Sequence, residues 1–359
     1  MLGIFPHHWF VGQPEWLLVL IAIACMAALL KGADWLVESA ATLALRLGIS
    51  KIVIGATIVS LGTTSPEAAV SVLAAWRGNA GLALGNGVGS IIADTGLIFG
   101  LGLLLTRLPA DRFVLNRQGW VQFGVGVGLA MVCFALFFMH GDAAALPRWM
   151  GLILVGLLVG YMAISVSWSR RHPFGEPHVT TDGPIETPLS EVPEQPDRSV
   201  LVLLGVGAIG LVVVVLASDV LVQSASELAA ARGVPEVIIA STLVAFGTSL
   251  PELMVGITAI RKGHPELLVG NVIGADILNV LFVIGAAAVA ASLPLVEAEG
   301  VTGRYIFLWL HLPMLVLMLV LMRLFIFRAV GRGGFSRWMG VPLVGLYVFY
   351  VGIQAWVSL

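Results

Sequence analysis

Charged side chains are scarce in this sequence. They make up 11% of its 359 residues, while 58% are hydrophobic, and a soluble domain carries about 25% charged residues. So little polar surface cannot cover a globule of this size, which excludes an ordinary soluble fold and indicates a lipid environment. The net charge of −2 gives no reason to expect a nucleic-acid partner.

The sequence has few cysteines and no lysine or arginine near its N-terminus, which argues against a disulfide-linked protein and against a cleavable signal peptide. The only two cysteines, Cys25 and Cys133, lie in apolar runs, so no disulfide framework is predicted. No lysine or arginine occurs from Met1 to Trp16, whereas a cleavable signal peptide needs a basic region before its apolar core. We therefore expect the first apolar run to be a retained membrane-spanning helix.

Long apolar runs are what the sequence has instead. Ten of them reach the roughly 20 residues that an α-helix needs to cross a bilayer. They cover residues 16–33, 52–75, 80–105, 119–140, 147–168, 200–222, 237–260, 265–292, 305–327 and 338–358. The first and the sixth continue into short amphipathic stretches, Asp34–Leu47 and Asp219–Arg232. These runs predict a multi-pass, all-α protein of the cell (inner) membrane with ten transmembrane helices.

The distribution of lysine and arginine predicts how these helices are oriented. With the N-terminus outside, the cytoplasmic loops carry 14 of these residues and the outer loops carry 4. That bias follows the positive-inside rule and places both termini outside. Residues 172–199, rich in proline and acids, are interpreted as a flexible cytoplasmic linker between residues 1–171 and 200–359. The acids of the linker lack the spacing of a calcium-binding loop.

The two parts of the chain on either side of the linker match at a constant offset of 185 residues, the separation of Glu67 and Glu252. The other identical pairs include Asp34 and Asp219, Thr57 and Thr242, Gly62 and Gly247, Thr63 and Thr248, Pro66 and Pro251, and Asn86 and Asn271. Each part has five spans, an odd number, so the second enters the membrane from the opposite side. Such inverted repeats are typical of secondary transporters, whose ion site lies at the repeat interface near the bilayer midplane.

Each repeat places a glutamate inside an apolar span. The strings are Gly62-Thr63-Thr64-Ser65-Pro66-Glu67 and Gly247-Thr248-Ser249-Leu250-Pro251-Glu252. A carboxylate at this depth costs several kcal/mol unless it is paired, protonated or bound to a metal ion. Glycine and proline are expected to break each helix before the glutamate and to free backbone carbonyls there. Carboxylate, hydroxyl and carbonyl oxygens together suit a hard cation, so we predict that cations bind between Glu67 and Glu252.

A second string in each repeat combines glycines with polar side chains. Residues 85–94 read Gly-Asn-Gly-Val-Gly-Ser-Ile-Ile-Ala-Asp, and residues 270–279 read Gly-Asn-Val-Ile-Gly-Ala-Asp-Ile-Leu-Asn. Its acid Asp94 is interpreted as functional because intramembrane acids usually are. The hydroxyls of both strings can also simply bond to their own helices. Close helix packing explains the glycines, which are Gly85, Gly89, Gly270 and Gly274.

These strings resemble the alpha-repeats of the calcium/cation antiporter superfamily, in its sodium/calcium exchanger branch of prokaryotic type. The Gly-Thr-Ser-x-Pro-Glu and Gly-Asn-x-x-Gly-Ser patterns recur in both repeats with one difference each, Thr64 in the first pattern and Ala275 in the second. The likeness covers nearly the whole chain. It implies ten helices, of which the second, third, seventh and eighth form the core while the first and sixth slide across it. Proton-coupled members usually show a Gly-Asn-x-x-Glu string instead, which favours sodium coupling here.

The resemblance also implies which residues bind the transported ions. Glu67 and Glu252 would be the central calcium ligands, shared with sodium. Further oxygens would come from Thr63, Thr248, Thr64, Ser249, Ser90, Asp94, Asn279, Ser60 and Ala245. The sequence departs from the family pattern at Ala275, which lacks a sodium-binding hydroxyl, and at Asp276 beside it. Asp276 either replaces the lost ligand or only lines a wet cavity.

The sequence thus predicts a secondary antiporter that exchanges calcium for sodium by alternating access and functions as a monomer in the lipid bilayer. It needs no cofactor besides the transported ions. The alternative is a calcium (or other cation)/proton antiporter of the same fold, and potassium is a further candidate ion. A channel is disfavoured by the inverted repeats with broken helices. An enzyme is disfavoured because no nucleophile–base pair is present.

Overall fold

The structure, a computed structural model, describes residue 5 and residues 7–47, 49–171, 199–231, 245–296 and 305–358. This part of the chain is almost entirely helical. The helices are α1 (Glu15–Leu47), α2 (Lys51–Trp76), α3 (Ala80–Leu105), α4 (Arg112–His140), α5 (Arg148–Arg171), α6 (Val200–Ala231), α7 (Ala245–Thr248), α8 (Leu250–Arg261), α9 (Pro265–Ala290), α10 (Phe307–Val330) and α11 (Gly340–Ser358). Short 3-10 turns occupy His7–Trp9, Gly141–Ala143 and Arg337–Met339. Apart from Ser199, the predicted linker 172–199 lies outside the described residues.

Eight of these helices are long and apolar enough to cross a membrane, judged by length and composition within the described ranges. They are α1 to α6, α9 and α10. In α1, α4, α5 and α6 less than a third of the apolar window is buried, and large apolar side chains such as Phe138 and Leu201 are exposed. Contact with lipid accounts for so much exposed apolar surface. The predicted run 237–260 is described only from Ala245 onward, so the count of ten spans stays a prediction.

Polar residues extend two helices beyond their apolar parts. α1 runs unbroken from Glu15 to Leu47, so the first run continues into the amphipathic stretch as predicted. α4, by contrast, begins at Arg112, well before the predicted start at residue 119. The reason is a cap: the Asp111 side chain accepts a hydrogen bond from the Val114 backbone N–H at 2.9 Å, which satisfies one of the free donors of the first turn.

The offset of 185 residues recurs in the local structure. An α-helical segment, a π-helical turn and a second α-helical segment follow each other at matching positions: Ala80–Ala93, Asp94–Phe99 and Gly100–Leu105 in α3, and Pro265–Leu278, Asn279–Ile284 and Gly285–Ala290 in α9. The turn before each helix contains a glycine with positive φ, Gly78 at 79° and Gly263 at 73°, a conformation that favours glycine. Equivalent positions therefore have equivalent backbone structure, while the inversion of the two halves stays a prediction.

α3 and α9 are the most buried of the long helices, and α2 packs closely against α9. A Cβ atom at Gly270 would lie 2.8 Å from the carbonyl carbon of Ile52, and one at Gly274 would lie 2.5 Å from the Cα of Ala56. Both distances are too short, so the packing interpretation is confirmed for these two glycines. No described backbone atom lies within 4 Å of a Cβ built at the equivalent glycines of α3, which are Gly85 and Gly89.

α1 and α6 pack along each other and also contact α2 and α8. At their crossing, a Cβ at Gly32 would lie 2.8 Å from the carbonyl oxygen of Gly210. α1 is further joined to the end of α8 by Lys262, whose Nζ lies 3.6 Å from Asp34 Oδ1 and 3.3 Å from Glu38 Oε2. The acids near the end of the first predicted span therefore pair helices.

The chain before α1 lies against α6. The Phe5 backbone N–H donates to Asp219 Oδ2 at 3.0 Å, and Gln223 Nε2 donates to the Phe5 carbonyl at 2.9 Å. The Gly12 N–H donates to Glu227 Oε1 at 3.3 Å. Asp219 and Glu227, near the end of the sixth predicted span, thus hold the N-terminal segment.

Outside the spans, His264 connects α8 to the start of α2. Its Nδ1 lies 2.9 Å from Lys51 Nζ and accepts a hydrogen bond, because an ammonium group only donates. Burial and the positive charge of Lys51 lower the pKa of His264 from 6.5 to about 4. The folded protein therefore holds the neutral imidazole.

This pKa shift predicts that His264 destabilises the protein in acid. Between pH 6.5 and about 4 the unfolded chain binds a proton on His264 that the folded chain does not bind. The stability that neutral His264 contributes is therefore complete above pH 6.5 and is lost as the pH falls. We expect His264→Asn, which keeps an acceptor but does not titrate, to lose less thermal stability between pH 7.5 and pH 4.5 than the wild type. Melting of the purified protein in detergent measures this. His140→Asn, at an exposed position, is the control, and equal acid sensitivity of all three proteins would contradict the prediction.

Candidate functional site

α2 and α8 carry Glu67 and Glu252 into the interior, where both side chains are 0% exposed. Each glutamate accepts a hydrogen bond from the other half of the chain: Glu252 Oε1 from Thr64 Oγ1 at 3.5 Å, and Glu67 Oε1 from Ser249 Oγ at 3.3 Å. Thr64 and Ser249 are equivalent in the repeat, as are the glutamates, so the same contact is made twice. Both contacts are long for an O–H···O hydrogen bond, so a cation can replace them at little cost.

α3 holds Glu67 by shorter contacts. Ser90 Oγ donates to Glu67 Oε1 at 2.6 Å. The Asn86 amide donates to the backbone carbonyl of Glu67 at 3.2 Å and to Ser71 Oγ at 2.9 Å. Ala275 stands where the second repeat would place the equivalent of Ser90 and has no hydroxyl to donate. The two glutamates therefore occupy equivalent positions, but only the first repeat has this hydroxyl donor.

Several buried polar atoms at this site have no hydrogen-bond partner among the described residues. They are Glu67 Oε2, Glu252 Oε2, both carboxylate oxygens of Asp94 and both amide atoms of Asn279. The four side chains come from four different helices, α2, α8, α3 and α9. An unpaired buried polar group costs about 1–3 kcal/mol, and a charged one more, so these oxygens need a cation, a proton or water. Oxygen ligands without sulfur or imidazole suit a hard cation.

No three acidic, histidine or cysteine side chains lie close enough together to hold a metal ion by themselves, within the ranges that the structure describes. A cation at Glu67 and Glu252 therefore also depends on hydroxyl, amide and carbonyl oxygens. This agrees with the ligand types that the sequence predicts.

π-helical turns mark the positions of the predicted ligands. Asp94 and Asn279 each begin one, and a third, Gly55–Val59, ends directly before Ser60. Ser60 is buried and its Oγ donates to the carbonyl of Gly55 at 2.6 Å. Such turns occur frequently at functional sites. They widen the helix where the sequence predicts oxygen ligands.

The predicted helix break before each glutamate is present in only one repeat. In the second repeat, Ser249 separates α7 from α8. In the first repeat, Ser60–Trp76 is continuous α-helix with Pro66 inside it, so the prediction is wrong there. Ser65 Oγ donates to the Leu61 carbonyl at 2.5 Å, and a π turn precedes this segment. Hydroxyls and local π adjustments of this kind allow proline within a membrane helix.

The remaining predicted ligands differ in how closely they reach the glutamates. Thr63 is buried, and its hydroxyl donates to the Ser60 carbonyl of its own helix at 3.4 Å. Thr248 is half-buried at the end of α7, and Ala245 begins that helix. Backbone ligation by Ser60 and Ala245 stays a prediction.

Asp276 is directed towards groups that the sequence analysis missed. Its Oδ2 accepts hydrogen bonds from Thr95 Oγ1 at 2.6 Å and from Gln122 Nε2 at 2.5 Å. Gln122 lies in α4, outside the two motif strings, and is buried. The available signal was an amide inside the fourth apolar run, because polar residues within membrane spans usually face the protein interior.

Comparison with known proteins identifies the family. The sequence model of the family described as "Sodium/calcium exchanger protein" matches residues 17–167 and 202–356, two segments that begin 185 residues apart. The putative antiporter CaxA of Alkalimonas amylolytica is 30% identical over 83% of this chain and 89% of its own length. The sodium/calcium exchanger MaX1 of Methanosarcina acetivorans is 27% identical over 92% of this chain and 97% of its own.

A solved structure agrees with these relatives. The sodium-calcium exchanger NCX_Mj, soaked with sodium and without calcium, superposes with a TM-score of 0.74 at 26% identity, over 94% of this chain and 99% of that one. The fold, the two matched segments and the relatives are consistent with one another. The chain therefore belongs to the sodium/calcium exchanger family of multi-pass membrane antiporters, and it is not an enzyme.

Proposed function

We propose that the protein exchanges calcium for sodium across the cell (inner) membrane by alternating access. Ten spans form two inverted repeats with both termini outside, and the protein works as a monomer. The names of MaX1 and NCX_Mj, both sodium/calcium exchangers, support calcium and sodium as the transported ions.

The observation that carries this proposal is the reciprocal contact between the two halves. Glu67 accepts a hydrogen bond from Ser249, and Glu252 accepts one from Thr64. A cation that replaces these contacts binds both repeats at once. Its affinity then depends on how the repeats lie relative to each other, which is the requirement for an alternating-access transporter.

The proposed ligands surround Glu67 and Glu252. They are Thr63, Thr248, Thr64, Ser249, Ser90, Asp94, Asn279, Ser60, Ala245 and Asp276. The two glutamates together carry a charge of −2, which one calcium ion neutralises, and sodium ions compete for the same oxygens. With ions bound, the site can be closed off from both sides of the membrane while the protein changes conformation. An empty site would keep two buried charges without a partner during that change, which costs several kcal/mol. This difference couples the two fluxes.

A calcium (or other cation)/proton antiporter of the same fold is the second candidate, and Ala275 is the observation that favours it. Ala275 is buried where the first repeat has the hydroxyl of Ser90, so one oxygen for sodium is absent. Asp94 and Asp276 are buried acids that can carry protons.

Uptake of radiolabelled calcium into proteoliposomes distinguishes the two candidates. We expect an outward sodium gradient to drive uptake without a pH gradient, and equal potassium or lithium gradients to give only background. Empty liposomes are the control. Uptake that a pH gradient drives in sodium-free buffer would select the proton antiporter instead. Uptake without any counter-ion gradient or internal calcium would contradict exchange.

A further inference from the structure

Asp276 belongs to a polar cluster beside the glutamate pair. It is 2% exposed, and its Oδ2 accepts hydrogen bonds from both Thr95 and Gln122. Thr95 lies in the π turn of α3, whereas Gln122 lies in α4. Two donors on one oxygen hold the Asp276 carboxylate in one orientation.

The other carboxylate oxygen of Asp276, Oδ1, differs from Oδ2 in its hydrogen bonding. Oδ1 is buried and has no hydrogen-bond partner in the described part of the chain. A buried charge costs several kcal/mol unless it is paired or bound to a cation. Because both donors bind Oδ2, Oδ1 remains available for a cation.

Asp94 connects this cluster to the glutamate pair. It lies one helical turn after Ser90, which donates to Glu67, and directly before Thr95, which donates to Asp276. Neither of its oxygens has a partner among the described groups. Calcium at the glutamates would neutralise only their own charges. Asp94 and Asp276 therefore need either protons or a further cation.

We propose that Asp276, positioned by Thr95 and Gln122, binds a sodium ion together with Asp94, beside the Glu67–Glu252 pair. Calcium is assigned to the glutamate pair, so sodium is the exchanged ion that remains for this cluster. The site supplies an oxygen in the repeat in which Ala275 lacks one. The inference rests on the proposed exchange function and deepens it, because it extends the sodium site to α4.

The variant Asp276→Asn tests this site, because asparagine keeps the shape and an acceptor oxygen but removes the charge. We expect sodium-driven calcium uptake to fall much further than calcium–calcium exchange in sodium-free proteoliposomes. The half-saturating sodium concentration of sodium-driven calcium uptake is expected to rise about tenfold or more, with a lower Hill coefficient. Binding of radiolabelled sodium to the purified protein is expected to weaken by a similar factor.

Gln122→Leu tests the positioning role separately, because it leaves the charge of Asp276 in place. We expect the half-saturating sodium concentration to rise about tenfold while the maximal rate changes little. A purely structural role would instead lower the maximal rate of every exchange mode. Gln118→Leu is the matched control, since Gln118 is equally buried one turn away on α4, and it is expected to behave like the wild type.

The proposal is overturned if Asp276→Asn binds sodium as the wild type does. It is also overturned if the variant loses calcium–calcium and sodium-driven exchange equally, because Asp276 would then act in the central site. Should size-exclusion chromatography show that Asp276→Asn does not fold, Gln122→Leu and Thr95→Val carry the same test. The exchange function fails separately if the wild type shows no sodium-driven uptake, and sodium binding to the purified protein still decides this inference.

Discussion

Glu252→Gln is expected to lower calcium exchange about a hundredfold or more. Glutamine keeps the size of the side chain and one acceptor oxygen, but the charge of the glutamate pair falls from −2 to −1. In the loaded site each glutamate pairs with the calcium ion, and truncating one partner of such a buried charge pair costs about 2–5 kcal/mol. Each 1.4 kcal/mol corresponds to about a tenfold change. Both glutamates are 0% exposed, so water does not compensate for the lost charge.

The measurement is the initial rate of calcium–calcium exchange in sodium-free proteoliposomes, which reports calcium transport without the driving ion. Glu67→Gln, at the equivalent position of the other repeat, is expected to have an effect of similar size. Glu15→Gln, at the exposed start of α1, is the control for a lost glutamate elsewhere. A Glu252→Gln protein that exchanges calcium at the wild-type rate would show that calcium does not bind at this pair.

Gly270→Val is expected to destabilise the protein more than any change on the lipid-facing surface. The new Cβ would lie 2.8 Å from the carbonyl carbon of Ile52, and neither backbone can move without separating α2 from α9. Overpacking in a tight core costs about 1–3 kcal/mol and sometimes more. Because Glu67 lies further along α2, the same separation would also disturb the ion site.

The fraction of monodisperse protein after detergent extraction, together with its melting temperature, measures this effect. Gly55→Val tests the same crossing from the other side, since a Cβ at Gly55 would lie 2.7 Å from the Leu267 carbonyl oxygen. Gly124→Val is the control, because Gly124 is an exposed glycine within α4 with no described atom within 4 Å of its Cβ position. Equal stability of the Gly270→Val and Gly124→Val proteins would disprove the close packing of α2 on α9.

The positions of most helices were predictable because apolar runs are a local property of the sequence. The predicted run 80–105 coincides with α3. The polar first turns of α4 were missed, because Asp111 caps that helix and lets it begin at Arg112. Hydropathy marks the part of a helix that lies in lipid, and it does not report the turns that side-chain caps and ion pairs stabilise.

The two glutamate strings show where local patterns stop being sufficient. They predict the same break in both repeats, yet only the second is broken. Ser65 bonds back to the Leu61 carbonyl within the continuous first helix, whereas the equivalent position of the second repeat is Leu250, which has no hydroxyl. A single side chain thus changes how the carbonyls near the proline are satisfied.

Residue order alone places Glu67 and Glu252 at equivalent positions of a repeat inside apolar spans, because hydropathy and repetition are properties of the sequence. The groups that they contact depend on the tertiary structure. Thr64 donates to Glu252, 188 residues away, instead of to its own helix, and Asp276 turns towards Thr95 and Gln122 in the other half of the chain. The physical reason is that a hydroxyl or amide donates to whichever acceptor packing brings near, and helices far apart in sequence set that packing.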